Sequence, residues 1–561
     1  MAGTVSSSFR ALVTRIAGVV SIALVGPMGA SGQGSFFAPG NLVVSRSVYA
    51  GNPGVVPLGT VLPPGCANTQ GGCAKPAMWD GTYPTVWNND LNDGSFGITS
   101  KILLDQITPA GALVNTLEVP NSSNPQVMPG SDQMVTSFSS KSEVALNLSA
   151  SHNYLTFMGY LAPINAIDIS NSNTPFLAPW LNLSAIDVTN PVGQYVYRVV
   201  AQVDANGTFH FTNTNAFSGN NGRAAVLNDE PGANVVYMAG NAGNGANPQP
   251  NGIIAGTGAQ ILTPSTLPQS QQLTGVFAPV GSFSITQLGN TADKVGKDTN
   301  FRGLTVFNNV IYYTKGSGSN GINTVYFVDT TGSACPNGVG LPSPSAVLPT
   351  AGIPFSVANL QTLGVTPYNM CVLQGFNTTL AKSDTTHFPF GLFFANATTL
   401  YVADEGNGDN TFSTATGTYT NAAAQTTAGL QKWIFTSGSW QLAYTLSAGL
   451  NLGVPYTVSG YPTGNNSATN LPWSPATDGL RNITGQVQGG TVTIWGITST
   501  VSGNGDQGAD PNQLVVITDT LSNTTAAGAA NEKFSTIRSA GFAEVLRGVS
   551  FTPGSSQPPS F

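Results

Sequence analysis

The sequence predicts an all-β fold, a single β-propeller of six blades with four antiparallel strands each. Three observations carry this expectation. Helical periodicity is nearly absent; short strand-like runs recur along the whole chain; and one strand grammar returns at intervals with like-placed charged residues. Such runs include Asn41-Leu-Val-Val-Ser-Arg46, Gly193-Gln-Tyr-Val-Tyr-Arg198, Thr324-Val-Tyr-Phe-Val328 and Gln513-Leu-Val-Val-Ile-Thr518. Each is rich in β-branched and aromatic residues and is bounded by Gly, Asn, Asp, Ser or Pro, the punctuation of short antiparallel strands.

The repeat is read from five segments. In each, a charged residue opens an apolar strand, and a second strand carries an aromatic before a Gly/Asn-rich loop. Glu143 leads to Phe157, Arg223 to Tyr237, Arg302 to Tyr312, His387 to Tyr401 and Arg481 to Trp495; in four of the five the separation is fourteen residues. A sixth opening, Arg547-Gly-Val-Ser-Phe551, has no later strands behind it, whereas Asn41 to Val119 holds later strands without a first one. The two ends therefore complete one blade together, which removes the open edges of the ring. Six blades follow, and seven is the alternative count.

All 561 residues are bounded by one composition: net charge −7, 8% charged and 41% hydrophobic. Nucleic-acid binding is excluded as an expectation, because phosphate recognition needs clustered Lys and Arg and no such cluster exists. Residues 1–32 read as a signal peptide: Arg10 and Arg15 precede an apolar run from Ile16 to Gly26, with Ala30-Ser31-Gly32 as a small-residue cleavage site. The propeller domain then spans residues 33–561, with a loop insertion near 52–95, and no later run is long and apolar enough to span a bilayer. Export makes the protein secreted, extracellular or periplasmic. It also makes Cys66, Cys73, Cys335 and Cys371 candidates for disulfides, with Cys66–Cys73 and Cys335–Cys371 favoured among three pairings by proximity.

The segment Leu400-Tyr-Val-Ala-Asp-Glu-Gly-Asn407 resembles a phrase of NHL-type and gluconolactonase-like propellers. The wider chain is similar to uncharacterised secreted bacterial β-propeller proteins, in phrases such as Ala216-Phe-Ser-Gly-Asn-Asn-Gly-Arg223, Leu430-Gln-Lys-Trp433 and Leu546-Arg-Gly-Val549. The resemblance implies the fold and leaves activity open.

Four candidate sites arise from the residues. The first is the set of repeat-opening charges: Glu143, Arg223, Arg302, His387, Arg481 and Arg547. First strands line the central channel of a propeller, so these residues share one height around the axis. Guanidiniums facing a common cavity would bind a small anionic ligand, with His387 or Glu143 as acid or base; guanidiniums pointing between blades would bond neighbouring carbonyls instead. The second is calcium, the one cofactor considered, with Asp404, Glu405 and Asp409 in one Gly/Asn-rich loop and Asp506 and Asp510 in the matching loop. The third is a pair of GxGxxG matches, Gly316 to Gly321 and Gly503 to Gly508. Both fall between strands, so they read as hairpin loops rather than dinucleotide sites. The fourth is the 52–95 insertion, whose Trp79, Tyr83 and Trp87 suit carbohydrate or protein contact.

Two functions follow as expectations. One is a binding or surface-interaction module, with an anionic small molecule at the channel. The other is an enzyme of lactonase, hydrolase or lyase type acting on an anionic small molecule or sugar acid.

Overall fold

The computed structural model describes residues 35–49, 61–62, 77–78, 97–123, 133–166 except 139 and 141, 169–175, 195–241, 257–269, 280–285, 300–352 except 319–320, and 369–556 except 468 and 505–506. The signal-peptide reading, Cys66, Cys73, Asp506 and nearly all of the 52–95 insertion lie outside them. Within the insertion, Val61–Leu62 pairs antiparallel with Ala77–Met78.

Six small antiparallel sheets form a ring, the arrangement of a six-bladed propeller. Blade 1 is closed by both ends of the chain: its innermost strand, Glu544–Phe551, pairs with Leu42–Val48, which is followed outward by Thr99–Ile107 and Leu113–Glu118. Their register sets Leu42 against Phe551 and Val48 against Glu544. Blades 2 to 6 begin with inner strands Asn147–Leu148, Gly222–Asn228, Phe301–Phe307, Pro389–Asn396 and Ala476–Gln488.

The apolar side chains that made the strands legible are buried between blades, one cluster per interface. Blades 4 and 5, for example, meet through Val325, Phe327 and Leu373 on one side and Leu392, Leu400 and Trp433 on the other. Blades 5 and 6 meet through Tyr401, Leu430 and Tyr444 against Leu480, Ile494 and Ile517. A blade is therefore apolar on both faces, and its alternation shows only toward the outer strands, where Leu113–Glu118 is largely exposed.

Hydroxyls also stitch the blades together. Thr314 on the second strand of blade 4 accepts from the Gly303 N–H at 2.7 Å and donates to the Phe390 carbonyl of blade 5 at 2.5 Å. Ser45 repeats the device between blades 1 and 2, accepting from Gly548 N–H and donating to the Val144 carbonyl, both at 2.8 Å. Gly303 is required at its place, because a Cβ there would lie 1.8 Å from the Phe390 carbonyl oxygen. The Cys335–Cys371 disulfide ties the loop after the third strand of blade 4 to its fourth strand, Asn369–Leu373.

Candidate functional site: the channel and its charged ring

At one end the inner strands close around the axis. A cavity of about 80 Å³ there is lined by apolar residues from all six blades: Leu146, Val226, Val306, Leu392, Ile483 and Phe551. The other end carries the charges. Arg223, Arg302, Arg481 and Arg547 all lie on inner strands and are only 2–5% exposed.

Most of their donors serve neighbouring blades. Arg547 donates Nε to Ser47 at 3.0 Å and its terminal nitrogens to the carbonyls of Ser140 and Phe138. Arg223 bonds the Asn300 side chain and, at 2.8 Å, the Phe301 carbonyl. Arg302 reaches across to Ser142 at 2.6 Å and bonds Ser317. Glu143 accepts from Thr136 at 2.6 Å, from the Ser137 N–H at 3.0 Å, from Asn221 at 3.3 Å and from Tyr160. It lies within protein donors, away from either cavity described here. Burial and the like charge of Arg302 hold the Arg223 guanidinium well below its usual range, partly offset by Glu143 and Glu405.

Blade 5 departs from the repeat grammar. Phe390 occupies the arginine position there, since Gly391 packs on the Arg481 carbonyl as Gly303 packs on that of Phe390. The charge comes instead from Glu405, just past the second strand, 3.3 Å from Arg481 Nε and 4.0 Å from Arg302. His387 sits three residues before Phe390 and is not brought into the ring. Its side chain is 38% exposed and its Nδ1 lies 3.0 Å from Asp384. The Arg-Gly pairs at 302–303 and 547–548, matched by Phe390-Gly391, were the signal that could have set this register; spacing to the aromatic residue pointed to His387 instead.

Above the ring opens a cavity of about 300 Å³ between blades 4, 5 and 6. Its wall includes Arg481, Glu405, Asp478, Asp384, Ser499 and the Gly406–Gly408 backbone. Arg481 donates Nε to Glu405, and among the described residues its two terminal nitrogens have no protein acceptor and are not sealed from solvent. Asp478 accepts from the Gly408 N–H at 2.8 Å and from Gln425 at 2.6 Å.

The carboxylates considered for calcium do not share a ligand point. Asp404 is buried and accepts from the Phe388 and Gly406 N–H groups at 2.9 and 3.0 Å. Glu405 faces Arg481 and Arg302, while Asp409 accepts from the Thr411 N–H at 2.8 Å and from Asn421 at 2.7 Å. In the matching loop, Asp510 accepts from Tyr461 at 2.9 Å and Ser502 at 3.0 Å. Among the described residues, the one group of three metal-type ligands within 4.8 Å of one another is Asp329 with Cys335 and Cys371, whose sulfurs form the disulfide. These residues do not fit a calcium site. Both GxGxxG segments connect two strands, with φ of +87° at Gly318 and +69° at Gly321.

Sequence reasoning missed several buried cations, Lys315, Lys432 and Arg198 among them. Arg198 is 0% exposed and donates to the carbonyls of Asn220, Val196 and Ser172, each at 2.8 Å. It opens a third strand rather than a first, so the repeat gave no cue.

Burial makes stability depend on pH. Desolvation pushes Asp404 up to about 8, and Asp510 and Glu532 up to about 7. Each keeps a proton in the native state that the unfolded chain has released, so its contribution is full below about pH 4 and is lost as pH rises through about 7 to 8. Asp519 is shifted the other way by its donors, so its contribution is lost in acid. The melting temperature should therefore peak near about pH 5 and fall by several degrees by about pH 8.5. A flat profile across that window in calorimetry would refute this account of the three carboxyls.

No helix of the described residues is long and apolar enough to cross a membrane. The chain matches no protein-family model and no curated protein sequence.

Proposed function

We propose that this is an exported propeller that works as a binding module, holding a small carboxylate-bearing polar molecule in the cavity at the open end of its channel. Export is supported by the reading of residues 1–32 and by the buried Cys335–Cys371 disulfide, a bond that persists in oxidising compartments. One observation carries the ligand reading: the terminal nitrogens of Arg481 open onto the cavity with no protein acceptor among the described residues, while Glu405 fixes the same guanidinium through Nε. A guanidinium held in that way is preorganised for a bidentate carboxylate.

Glu405 pairs with that cation, and Asp478 and Asp384 share the cavity wall, so a bare anion such as phosphate is disfavoured there. The geometry suits a carboxylate that also carries hydroxyl or ammonium groups, as in a sugar acid or an amino acid. The other ring arginines, bonded between blades, act as braces in this reading. The likeness to NHL-type and gluconolactonase-like propellers is part of the same proposal.

A thermal-shift screen tests it with sugar acids, amino acids, citrate, phosphate and calcium. A carboxylate-bearing polyol or zwitterion at excess should raise the melting temperature, since a ligand of the native state stabilises by mass action. Arg481→Gln should abolish the shift, and so should Asn407→Trp, placed at the exposed rim to block entry without touching the ring. A shift that survives both variants rules out this cavity.

The enzyme reading is favoured by one further feature. The His387–Asp384 pair lies at the cavity edge, with Asp384 in the wall, and imidazole oriented by a carboxylate is a usual general base. Incubation of each stabilising ligand with the protein, followed by NMR, distinguishes the two: turnover lost in His387→Ala supports the enzyme, and an unchanged ligand supports the binding module.

A further inference from the structure

The face opposite the charged cavity carries a second depression, of about 520 Å³, between blades 4 and 5. Its aromatic residues are Phe307, Tyr312, Phe394, Phe435 and Trp440, and its wall holds no ionisable acid or base other than the Tyr312 phenol. Phe307 stacks on Phe394 at 4.5 Å, while Trp440 stands edge-on to Phe394 at 6.0 Å and tilted to Phe435 at 5.5 Å. These contacts fix the rings as rigid walls.

Two polar atoms on those walls are unmatched. Trp440 and Tyr312 are each 6% exposed, yet the indole N–H and the phenol hydroxyl have no hydrogen bond among the described residues and are not sealed from solvent. Elsewhere the same groups are satisfied: Trp433 donates to Gln431 at 3.0 Å, Trp495 to the Pro109 carbonyl at 2.9 Å, and Tyr237 to the Pro349 carbonyl at 2.8 Å. A nearly buried Trp or Tyr ordinarily finds a partner, because leaving the group unpaired costs free energy. Here both residues line the depression, and neither group has a protein partner among the described residues.

The rim supplies groups that both donate and accept. Asn308 and Asn309 form the tip of the turn between the first two strands of blade 4, with φ of +48° and +60°, and Ser343, whose hydroxyl is bonded to Ser345, is also in the lining.

We propose that this depression is a binding site for a neutral sugar ring. The C–H face of a pyranose is apolar and packs on aromatic walls. Its hydroxyls both give and take hydrogen bonds, matching two amides, a serine, an indole N–H and a phenol. A neutral wall selects against charged ligands by desolvation. An extended proline-rich peptide would also use aromatic walls and an indole donor, but it offers few N–H groups, which leaves the side-chain acceptors of Asn308 and Asn309 largely without use.

The test is titration of the full protein with glucose, galactose, mannose, N-acetylglucosamine, cellobiose and lactose, with a proline-rich peptide and a sugar acid beside them. Tryptophan emission and saturation-transfer NMR supply the readouts. At least one neutral sugar should bind saturably, and Tyr312→Phe and Trp440→Phe should each weaken it by about fivefold or more, the worth of one hydrogen bond. Asn407→Trp, in the opposite cavity, should leave it unchanged. Tyr312→Phe removes only a hydroxyl without a protein partner, so it keeps the test open if Trp440→Phe is poorly folded. Absence of neutral-sugar binding at tens of millimolar, binding indifferent to both variants, or binding of the peptide with every sugar silent would each overturn the proposal.

Discussion

Asp519→Ala should lower the unfolding free energy by about 3–5 kcal/mol, the cost of leaving a buried partner charge uncompensated. Lys432 and Asp519 are 0% exposed, with Nζ 2.8 Å from the carboxylate, at the interface of blades 5 and 6. The same carboxylate accepts from Tyr444 at 2.6 Å and from Tyr401. Lys432 also donates to the Thr520 and Leu521 carbonyls at 2.9 and 3.1 Å, so it cannot swing into water when Asp519 is removed. The two tyrosines would lose their acceptor as well. The double variant Lys432→Met/Asp519→Leu should recover most of the loss, because apolar replacement of a buried pair is often close to neutral. Urea unfolding of the three proteins checks this. A single variant within about 1 kcal/mol of the parent would mean that the pair is solvated and the interface is not held there.

Removing the Cys335–Cys371 bond should cost about 3–4 kcal/mol, by chain entropy for a loop closed over this span. The cysteines are 36 residues apart in sequence and almost wholly buried, at 7% and 0% exposed. Asn369–Leu373 is the fourth strand of blade 4 counted from the channel, and it lies next to Thr324–Asp329 in the sheet although Asn369 is forty positions beyond Asp329. The sulfur link adds to the backbone pairing that returns this long excursion to the sheet. Cys335→Ser/Cys371→Ser should therefore melt lower than the parent, and reductant should lower the parent but not the variant. Amide exchange should quicken first in Asn369–Leu373, because that strand carries Cys371 and loses its covalent tie. Equal melting temperatures for parent and variant would sink this.

Much of the architecture was legible because the signals are local. Tyr237 and Trp495 each follow their opening arginine by fourteen residues, because a first strand, a tight turn and part of a second strand take up that much chain. The closure of blade 1 was readable from an unpaired first strand at Arg547 and unpaired later strands after Asn41, and the Leu42–Phe551 register agrees with it. The candidate site was legible only in part. The repeat grammar picked out the four ring arginines, but spacing to the aromatic assigned His387 to blade 5, where Phe390 stands and Glu405 supplies the charge. Nothing local marked Arg198 or the Lys432–Asp519 pair as buried.

The sequence by itself determined the strand grammar, the number of blades and the way the ends meet, since pairing between successive strands is governed by short-range propensity and turn chemistry. The tertiary structure alone decided what each charge does. Arg223 meets Asn300 across 77 residues and Arg302 meets Ser142 across 160, and no local pattern encodes such partners. Whether a guanidinium braces two blades or faces a cavity depends on which acceptors the ring brings within about 3 Å of it, and that is set only when all six blades have closed.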